Sequence, residues 1–311
     1  MKIRLLAVLA LFLTSTAVGQ TDFGAQLRQM AKVNAEKYVS PLVNGWGAAL
    51  NSGFYHTADV HGILGFDVHI KFTGSLLQDA DKKYQFTTPD FPGYVRDGTG
   101  PNGYPGEVEA NTVAGENKTI PVVTNGGTTL MTIPAGFNLP TTPLLIPQVS
   151  IGLPFGFEVT GRFFPTAKVG DLGKINMLGF GLRHDVDQYI PMLPLDVAVH
   201  FMTQSISYED NQGTKLFEAS GTAFGIEASK HLILFTVYAG FQIESSSMTI
   251  GPYTATVAGQ PVTIDAFELE GANSSRVLLG ARMSLLFLNL HADYNIGTTK
   301  AFALGVGISF R

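Results

Sequence analysis

The sequence lacks cysteine, strong net charge and long apolar runs, and each absence excludes a class of protein. Without cysteine the chain has no disulfide framework and no thiolate site. Charged residues make up only 14% of the 311 residues, against roughly a quarter in an ordinary soluble domain. The formal net charge of −5 gives no support to a phosphate-binding surface, so we expect no nucleic-acid partner. Beyond the N-terminal segment no stretch reaches roughly 18 apolar residues, which excludes helical membrane spans.

What the sequence does contain is a large apolar fraction together with many glycines and prolines. Apolar residues make up 45% of the chain, which has 35 glycines and 16 prolines. This composition excludes a disordered polyampholyte and a coiled coil. We therefore expect a folded chain in surroundings other than plain water, stabilised by packing and backbone hydrogen bonds.

The first residues have the pattern of a cleavable secretory signal, which we place at residues 1–19. Lys2 and Arg4 form a short positive region, and an apolar run follows from Leu5 to Leu13. Small residues at Ala17 to Gly19 suit a cleavage site. The alternative is an uncleaved anchor, which is disfavoured because the run is far shorter than the roughly 20 residues of a membrane-crossing helix.

Alternation of apolar and polar residues dominates the rest of the chain and predicts β-strands. Phe66, Val68 and Ile70, for example, alternate with Asp67 and His69. Such runs are long, whereas soluble strands usually stop near about 5 or 6 residues and a tilted membrane strand needs about 9 to 11. The pattern predicts ten strands, at 62–74, 145–153, 155–164, 175–187, 195–208, 216–229, 232–247, 275–285, 286–296 and 301–310.

The connections between these predicted strands alternate between long and short. Transmembrane β-barrels have this arrangement, with short periplasmic turns and long extracellular loops. Lipid offers no hydrogen-bond partners, so a sheet within it must close on itself. We therefore predict an all-β fold, a transmembrane antiparallel β-barrel of about ten strands at residues 62–311, with apolar rows facing lipid and polar rows facing the lumen. The alternative is a soluble β-sandwich or lipid-binding barrel with inward apolar rows, but its water-facing rows should be rich in lysine and glutamate, and here they are not.

The chain resembles Gram-negative outer-membrane β-barrels in its signal, its alternating strands and its last strand, which ends in Phe310. In those proteins the final aromatic residue belongs to the signal read by the barrel assembly machinery, and the resemblance implies that role for Phe310. Arg311 departs from the commonest pattern, in which the aromatic residue is the last one. The resemblance further implies an outer-membrane location, with membrane lipid and the assembly machinery as partners.

Two segments resemble, more narrowly, an uncharacterised family of outer-membrane barrels. One runs from Tyr38 to Tyr55, and the other runs from Leu182 to Asp185 and continues at Pro191 to Val197. That family implies no activity. The Gly-rich segment before the first strand is also similar to the long-chain fatty acid transporter family, in which an N-terminal hatch sits inside the barrel.

The segment ahead of the barrel, residues 20–61, is predicted to hold a helix followed by a plug or hatch. Residues 21–40 have apolar side chains at helical spacing, and Pro41 should stop this helix. A lumen about 10 Å wide barely admits a helix with its side chains. We therefore expect residues 42–60 to enter the lumen in extended form with the helix below it; the alternative is a helix lying against the periplasmic mouth. The predicted plug residues are Gly45, Trp46, Gly47, Asn51 and Gly53.

The longest predicted connection, residues 78–144, is rich in threonine, proline and glycine and should be an extracellular loop. A structureless loop of this length is unusual, so part of it should fold. Asn125-Gly126-Gly127 favours a hairpin within it.

Polar side chains on the lumen faces are predicted to form a network of ion pairs and hydrogen bonds, because unpaired charges in a narrow lumen are costly. Asp67 with His69, and His291 with Asp293, lie two residues apart on strands that both neighbour the last one, a spacing that metal ligands also show. We favour the network and expect no bound metal and no cofactor. Its predicted members are Asp67, His69, Lys71, Glu158, Arg162, Arg183, Asp196, His200, Arg282, His291 and Asp293.

Little in the sequence favours an enzyme. It has no phosphate-binding loop and no His-Glu-x-x-His motif. Ser309, His291 and Asp293 are residue types of an acyl-transfer triad, but Ser309 should lie near the periplasmic end with nothing to orient it. We predict that the protein is not an enzyme.

Two functions remain open after these exclusions. One is passive transport of a small apolar solute, a hydrophobic ligand, through a narrow gated lumen, which the Gly-rich plug and the fatty acid transporter similarity favour. The other is a structural or adhesive role through the large first extracellular loop.

Overall fold

The computed structural model describes residues 27, 30–168, 174–209, 215–257 and 260–310. The predicted signal at 1–19 and the predicted beginning of the helix at residue 21 lie outside the described residues. The chain divides into two compact units. We call them the loop unit, which comprises the chain up to Leu42, Leu77–Pro140 and Ile250–Leu269, and the barrel unit, which comprises Val43–Leu76, Thr141–Thr249 and Glu270–Arg311.

Ten long strands form the wall of the barrel unit, which confirms the predicted fold. They are β1 (Phe66–Leu76), β2 (Thr141–Leu153), β3 (Phe157–Lys168), β4 (Lys174–Asp185), β5 (Asp196–Glu209), β6 (Lys215–Leu232), β7 (Phe235–Ile250), β8 (Ser275–Leu285), β9 (Leu288–Ile296) and β10 (Ala301–Phe310). Each strand pairs with the next along the chain. The antiparallel pairing of β1 with β10 closes the sheet, with Phe66 opposite Phe310 at the seam.

The two faces of the wall differ as the alternation predicts. On β1 the side chains of Phe66, Val68 and Ile70 are exposed on the outside, whereas those of Asp67 and His69 are buried. The other wall strands repeat this pattern, so the outside of the barrel carries rows of Phe, Leu, Ile and Val. A closed sheet satisfies its own backbone groups, and its outer face can therefore lie in hydrocarbon.

The connections at one end of the barrel unit are tight. A single 3₁₀ turn, Pro154–Gly156, joins β2 to β3. Residues 233–234 join β6 to β7, and residues 286–287 join β8 to β9. Phe155, Ile233 and Leu286 have positive φ angles in these turns. At the same end β4 and β5 are joined through a second 3₁₀ turn, Asp187–Tyr189.

The loop unit has short elements and a buried core of its own. Phe86, Tyr104 and Ile133 are buried within it. The predicted hairpin is confirmed, because Ile120–Val123 pairs with Thr129–Ile133 across the turn. Its other elements are the 3₁₀ turn Asp79–Lys82 and the strands Lys83–Thr87, Val95–Arg96, Gly103–Tyr104, Glu107–Asn111, Tyr253–Val257 and Gln260–Ile264. A further strand, Phe267–Glu270, ends in the barrel unit.

The helix α1 spans Lys32–Leu50 and contains Pro41, so the expectation that Pro41 stops the helix is wrong. Proline removes one backbone donor and disturbs the preceding turn, and here contacts on both sides of it offset that cost. Before Pro41, the Tyr38 carbonyl accepts a hydrogen bond from the Val113 amide. The first half of α1 thus contacts the longest connection. Among the described residues no helix is long and apolar enough to cross a membrane.

Candidate functional site

Residues Val43–Gly65, which we call the plug, contact the inner face of the barrel wall. The last turns of α1 belong to the plug, so the expectation of a wholly extended plug is wrong. Gly45 and Gly47 explain why a helix fits. A Cβ atom at Gly45 would lie 2.6 Å from Ser75 Oγ of β1, and one at Gly47 would overlap Ser246 of β7. With hydrogen atoms in place of side chains, α1 is narrower than an ordinary helix on these two faces.

Arginine side chains of the wall bind the C-terminal end of α1. The last carbonyl groups of a helix have no partner within the helix and carry a partial negative charge. Arg162 of β3 donates hydrogen bonds to the Leu50 carbonyl at 2.9 Å and to the Ser52 carbonyl at 3.0 Å. Arg276 of β8 donates to the Ala48 carbonyl at 3.0 Å and pairs with Glu244 of β7 at 2.7 Å. The carbonyl groups at the end of α1 thereby have hydrogen-bond partners inside the barrel.

The extended part of the plug, from Asn51 onward, is held in the same manner. Lys71 of β1 donates to the carbonyls of Gly53 and Phe54, and Gln148 of β2 also donates to Phe54 at 2.9 Å. Asn51 donates to the Ser245 carbonyl of β7 at 3.1 Å. The predicted plug residues Asn51 and Gly53 therefore contact wall strands of the lumen, as do Gly45 and Gly47, and the ring of Trp46 lies 4.7 Å from that of Phe217 on β6.

A buried cluster of ion pairs surrounds Arg183 of β4. Its guanidinium pairs with Glu158 of β3 at 2.8 Å and with Glu227 of β6 at 2.6 Å, and it also donates to the Thr57 carbonyl of the plug. His200 of β5 bonds the second oxygen of Glu227 at 2.5 Å. These predicted lumen residues form a connected group whose charges compensate one another.

His61 of the plug joins two strands of the wall. Its Nδ1 lies 2.7 Å from Glu158 Oε2, and its Nε2 lies 3.0 Å from Ser309 Oγ of β10. Ser309 therefore does not form the set with His291 and Asp293 that its residue type suggested. The Ser309 amide donates to the Phe287 carbonyl at 2.9 Å, so it is not free to stabilise an oxyanion. The contacts of His61 are those of an anchor between plug and wall.

Three further buried histidines meet beside Asp67, which also lies 3.9 Å from His61. His56 of the plug lies between His69 of β1 and His291 of β9, with ring centroids 4.4 Å and 4.9 Å away. One ligand atom from each of the three rings lies within 4.8 Å of the others. Their two strands flank β10, where His69 is opposite Gly307 and His291 is opposite Gly305. A Cβ atom at either glycine would overlap the facing imidazole.

The remaining predicted residues occupy separate parts of the lumen. Asp196 accepts a hydrogen bond from Ser229 at 2.9 Å, near one end of β5. Arg282 donates to Asn289 of β9 at 2.7 Å and 2.9 Å. Asp293 accepts a hydrogen bond from Tyr238 of β7 at 3.1 Å. Asp67 lies 3.4 Å from His69 Nδ1 and 3.6 Å from His56 Nε2.

Among the charged and histidine side chains described above, five are missing from the sequence prediction. Arg276, Glu227 and Glu244 lie on lumen faces, and the same alternation that selected Arg282 and His200 would have found them. His56 and His61 are different, because they lie in the non-strand part of the plug, where no periodicity marks an inward direction.

Phe310 lies on the outer face at the end of β10. Its ring lies 5.2 Å from that of Phe66 and is stacked on that of Phe287 at 6.3 Å. This group of aromatic rings is at the tight-turn end of the wall, where barrels carry an aromatic girdle. Its role as an assembly signal remains a prediction.

An apolar exterior around a charged, filled interior is the reverse of a soluble protein, and the closed sheet leaves no edge unpaired in the wall. The barrel unit therefore defines a transmembrane β-barrel of the outer-membrane type. Its place is the outer membrane of a Gram-negative bacterium, where such barrels occur.

The chain belongs to the family of unknown function DUF6588, whose profile matches residues 1–310. No curated protein matches the chain. Among solved structures, the translocator domain of the autotransporter NalP from Neisseria meningitidis is similar at 8% identity, with 81% of this chain and 90% of that chain covered and a TM-score of 0.33. Neisserial surface protein A has 10% identity, coverage of 80% and 99%, and a TM-score of 0.25. OmpT of Vibrio cholerae has 10% identity, coverage of 79% and 98%, and a TM-score of 0.27. These TM-scores are low, so the fold assignment rests on the strand pairings.

Proposed function

We propose that this outer-membrane barrel is a gated channel for a small solute, and that the plug is its gate. The observation that carries the proposal is the nature of the contacts between plug and wall. Lys71, Arg162, Arg183 and Arg276 all hold backbone carbonyl groups of the plug. These hydrogen bonds lie beside one apolar contact, in which Phe54 and Tyr55 of the plug are buried with Met202, Ala223 and Leu278 of the wall.

Water can replace such contacts when the plug moves. A carbonyl or guanidinium group that leaves its protein partner regains hydrogen bonds from water, so the net loss per bond is only about 0.5 to 1.5 kcal/mol, or about 1.5 to 3 kcal/mol when one group is charged. Phe54 and Tyr55 would expose hydrophobic surface on opening, and this cost favours the closed position of the plug. The remaining contacts are polar and are therefore suited to reversible displacement.

The lining of the lumen favours a small polar or charged solute over the apolar solute expected from the sequence. Arg162, Arg183 and Glu158 are buried on the inner face, and a displaced plug would expose them to the passing solute. An apolar solute would have to desolvate these charges without pairing them, which is unfavourable.

A disulfide between plug and wall tests the gate. The chain has no cysteine, and Thr57 Oγ1 of the plug lies 3.2 Å from Ser229 Oγ of β6, so cysteines at these two positions would place their sulfur atoms close to bonding distance. The double variant Thr57→Cys with Ser229→Cys should form one bond on oxidation. In planar bilayers we expect the wild-type protein and the reduced double variant to conduct, the oxidised double variant to be silent, and reductant to restore its conductance.

The single variants Thr57→Cys and Ser229→Cys serve as controls, because neither can form the bond. Folding of each variant is checked by the heat-dependent gel mobility of the barrel. A silent wild-type protein, or equal conductance of the oxidised and reduced forms, would contradict the proposal.

A second function is favoured by the loop unit, which has hairpins and a buried core of its own. Tyr104 and Phe86 are buried there, and Tyr38 donates a hydrogen bond to the Ala135 carbonyl at 2.8 Å. An ordered unit of this kind suits adhesion to a partner, with the barrel as an anchor. Cells that display the chain with residues 83–133 replaced by a short linker should then lose surface attachment while the barrel still folds. Unchanged attachment would remove this alternative.

A further inference from the structure

We propose that His56, His69 and His291 form a binding site for one first-row transition-metal ion, with zinc as the expected occupant. The site joins the plug to β1 and β9. The proposal concerns metal binding alone and does not depend on the channel function.

The geometry of the three rings suits a common ligand. Zinc–nitrogen bonds are about 2.0 to 2.1 Å long, so the nitrogens of a tetrahedral site lie roughly 3.4 Å apart. The three ligand atoms already lie within 4.8 Å of one another. The rings of His56 and His291 are stacked, so they would turn on binding to direct the lone pairs in their planes at one ion.

The ring nitrogens of the three histidines make no hydrogen bonds to other described residues. All six nitrogen atoms of His56, His69 and His291 are buried without a hydrogen-bond partner in that part of the chain. A buried imidazole ordinarily has a partner, because leaving a polar group unpaired is costly. The three rings border one shared space. A cation in that space would accept the lone pairs of their nitrogens.

Asp67 is placed to support the ligands. Its Oδ1 lies 3.4 Å from His69 Nδ1, and its Oδ2 lies 3.6 Å from His56 Nε2. Histidine ligands usually direct their second nitrogen at a carboxylate, which fixes the ring and strengthens the ligand. The neighbouring cations are engaged elsewhere, Lys71 with plug carbonyls and Arg282 with Asn289.

Two glycines of the wall leave the space that the rings of His69 and His291 occupy. Gly305 and Gly307 of β10 lie under His291 and His69, and any side chain there would displace them. Three imidazoles and no thiolate favour zinc, copper, nickel or iron over calcium and magnesium, which prefer oxygen ligands. Three protein ligands also leave a fourth position for water or a solute.

Metal retention by the full chain tests the site. The protein is prepared without a polyhistidine tag, folded in detergent, loaded with Zn²⁺ and passed through a desalting column, and the bound metal is measured by mass spectrometry. We expect one zinc ion per chain in the wild-type protein, and almost none in His56→Ala, His69→Ala or His291→Ala. Asp67→Asn should weaken zinc binding by roughly 10- to 100-fold.

His231→Ala is the matched control, because this histidine lies at the end of β6 and contacts Thr236 rather than the cluster. It should retain as much zinc as the wild-type protein. His56→Ala changes the plug and none of the ten wall strands, so heat-dependent gel mobility will show a folded barrel even where a wall variant fails to fold. Co²⁺ in place of zinc should give a visible d–d absorption band that disappears in His56→Ala. A wild-type protein that retains no metal, or a folded His56→Ala that retains as much as the wild-type protein, would overturn the proposal.

Discussion

Gly305 lies opposite His291 across the pairing of β10 with β9, and the imidazole ring occupies the space that a side chain at Gly305 would need. We expect Gly305→Ala to push His291 away from His56 and His69. Overpacking of this kind should destabilise the barrel by about 1 to 3 kcal/mol. Urea unfolding in detergent measures the change, and zinc retention should fall with it.

Gly161→Ala is the control for this change, since Gly161 is also on a wall strand but a Cβ atom there meets nothing within 4 Å. Its unfolding midpoint should stay close to that of the wild-type protein. Equal effects of the two substitutions would mean that backbone preference, rather than the His291 ring, decides the outcome.

Removal of the Arg183 side chain should destabilise the protein strongly. Arg183 compensates both Glu158 and Glu227, at 2.8 Å and 2.6 Å. Arg183→Ala would leave two buried carboxylates without their cation, a loss of about 3 to 5 kcal/mol in the free energy of unfolding. Urea titration of the full chain provides the measurement.

The exposed pair of Lys83 with Glu109, at 2.6 Å, is the comparison. Water screens it, so Lys83→Ala should leave the urea midpoint close to that of the wild-type protein. If Arg183→Ala lowers stability as little as Lys83→Ala does, the lumen is well hydrated.

Zinc should stabilise the wild-type protein against urea. A ligand that binds only the folded state at about 100 times its dissociation constant adds about 2.7 kcal/mol. Because the metal would join His56 of the plug to two strands of the wall, we expect this gain in the wild-type protein and in His231→Ala. His56→Ala should show none, and a gain there equal to that of the wild-type protein would locate the zinc elsewhere.

Alkaline pH should loosen the loop unit through Tyr38. Burial, with a smaller contribution from Tyr84, raises the pKa of the Tyr38 hydroxyl well above its usual value of 10.0. The folded state therefore keeps this proton at a pH where the unfolded chain has lost it. The resulting stability is fully present below the unfolded pKa of about 10 and declines as the pH rises above it.

Tyr38→Phe separates this effect from other titrations. Near pH 8 the variant should be less stable by about 1 kcal/mol, because it lacks the hydrogen bond to Ala135. Near pH 11 the difference should shrink, since the phenyl ring does not ionise. The rate of proteolysis of the loop unit at both pH values measures the difference in stability between Tyr38→Phe and the wild-type protein. A difference that grows with pH would contradict the raised pKa of Tyr38.

The alternation of side chains predicted the wall because lipid and lumen are opposite surroundings on the two faces of one sheet. It placed Asp67, His69 and Lys71 of β1 on the inner face and gave all ten strands. It also made His69 and His291 neighbours of the same last strand, which the register then brought together across Gly305 and Gly307.

The plug was predicted less well, because its conformation depends on partners far away in the sequence. The passage of α1 through Pro41 is favoured by contacts of Gly45 with Ser75 and of Gly47 with Ser246, which no local pattern reveals. His56 lies on a non-repeating segment, so its meeting with His69 and His291 depends on the path of the plug. The sequence therefore predicted His69 and His291 as site residues, but not His56.

The position of the plug has a consequence for the assembly of the barrel. Arg162 and Arg276 bind the end of α1 inside the wall. If β1 paired with β10 first, the end of a helix that carries Trp46 would have to enter a closed barrel. We therefore expect the strands to close around a plug that is already in position.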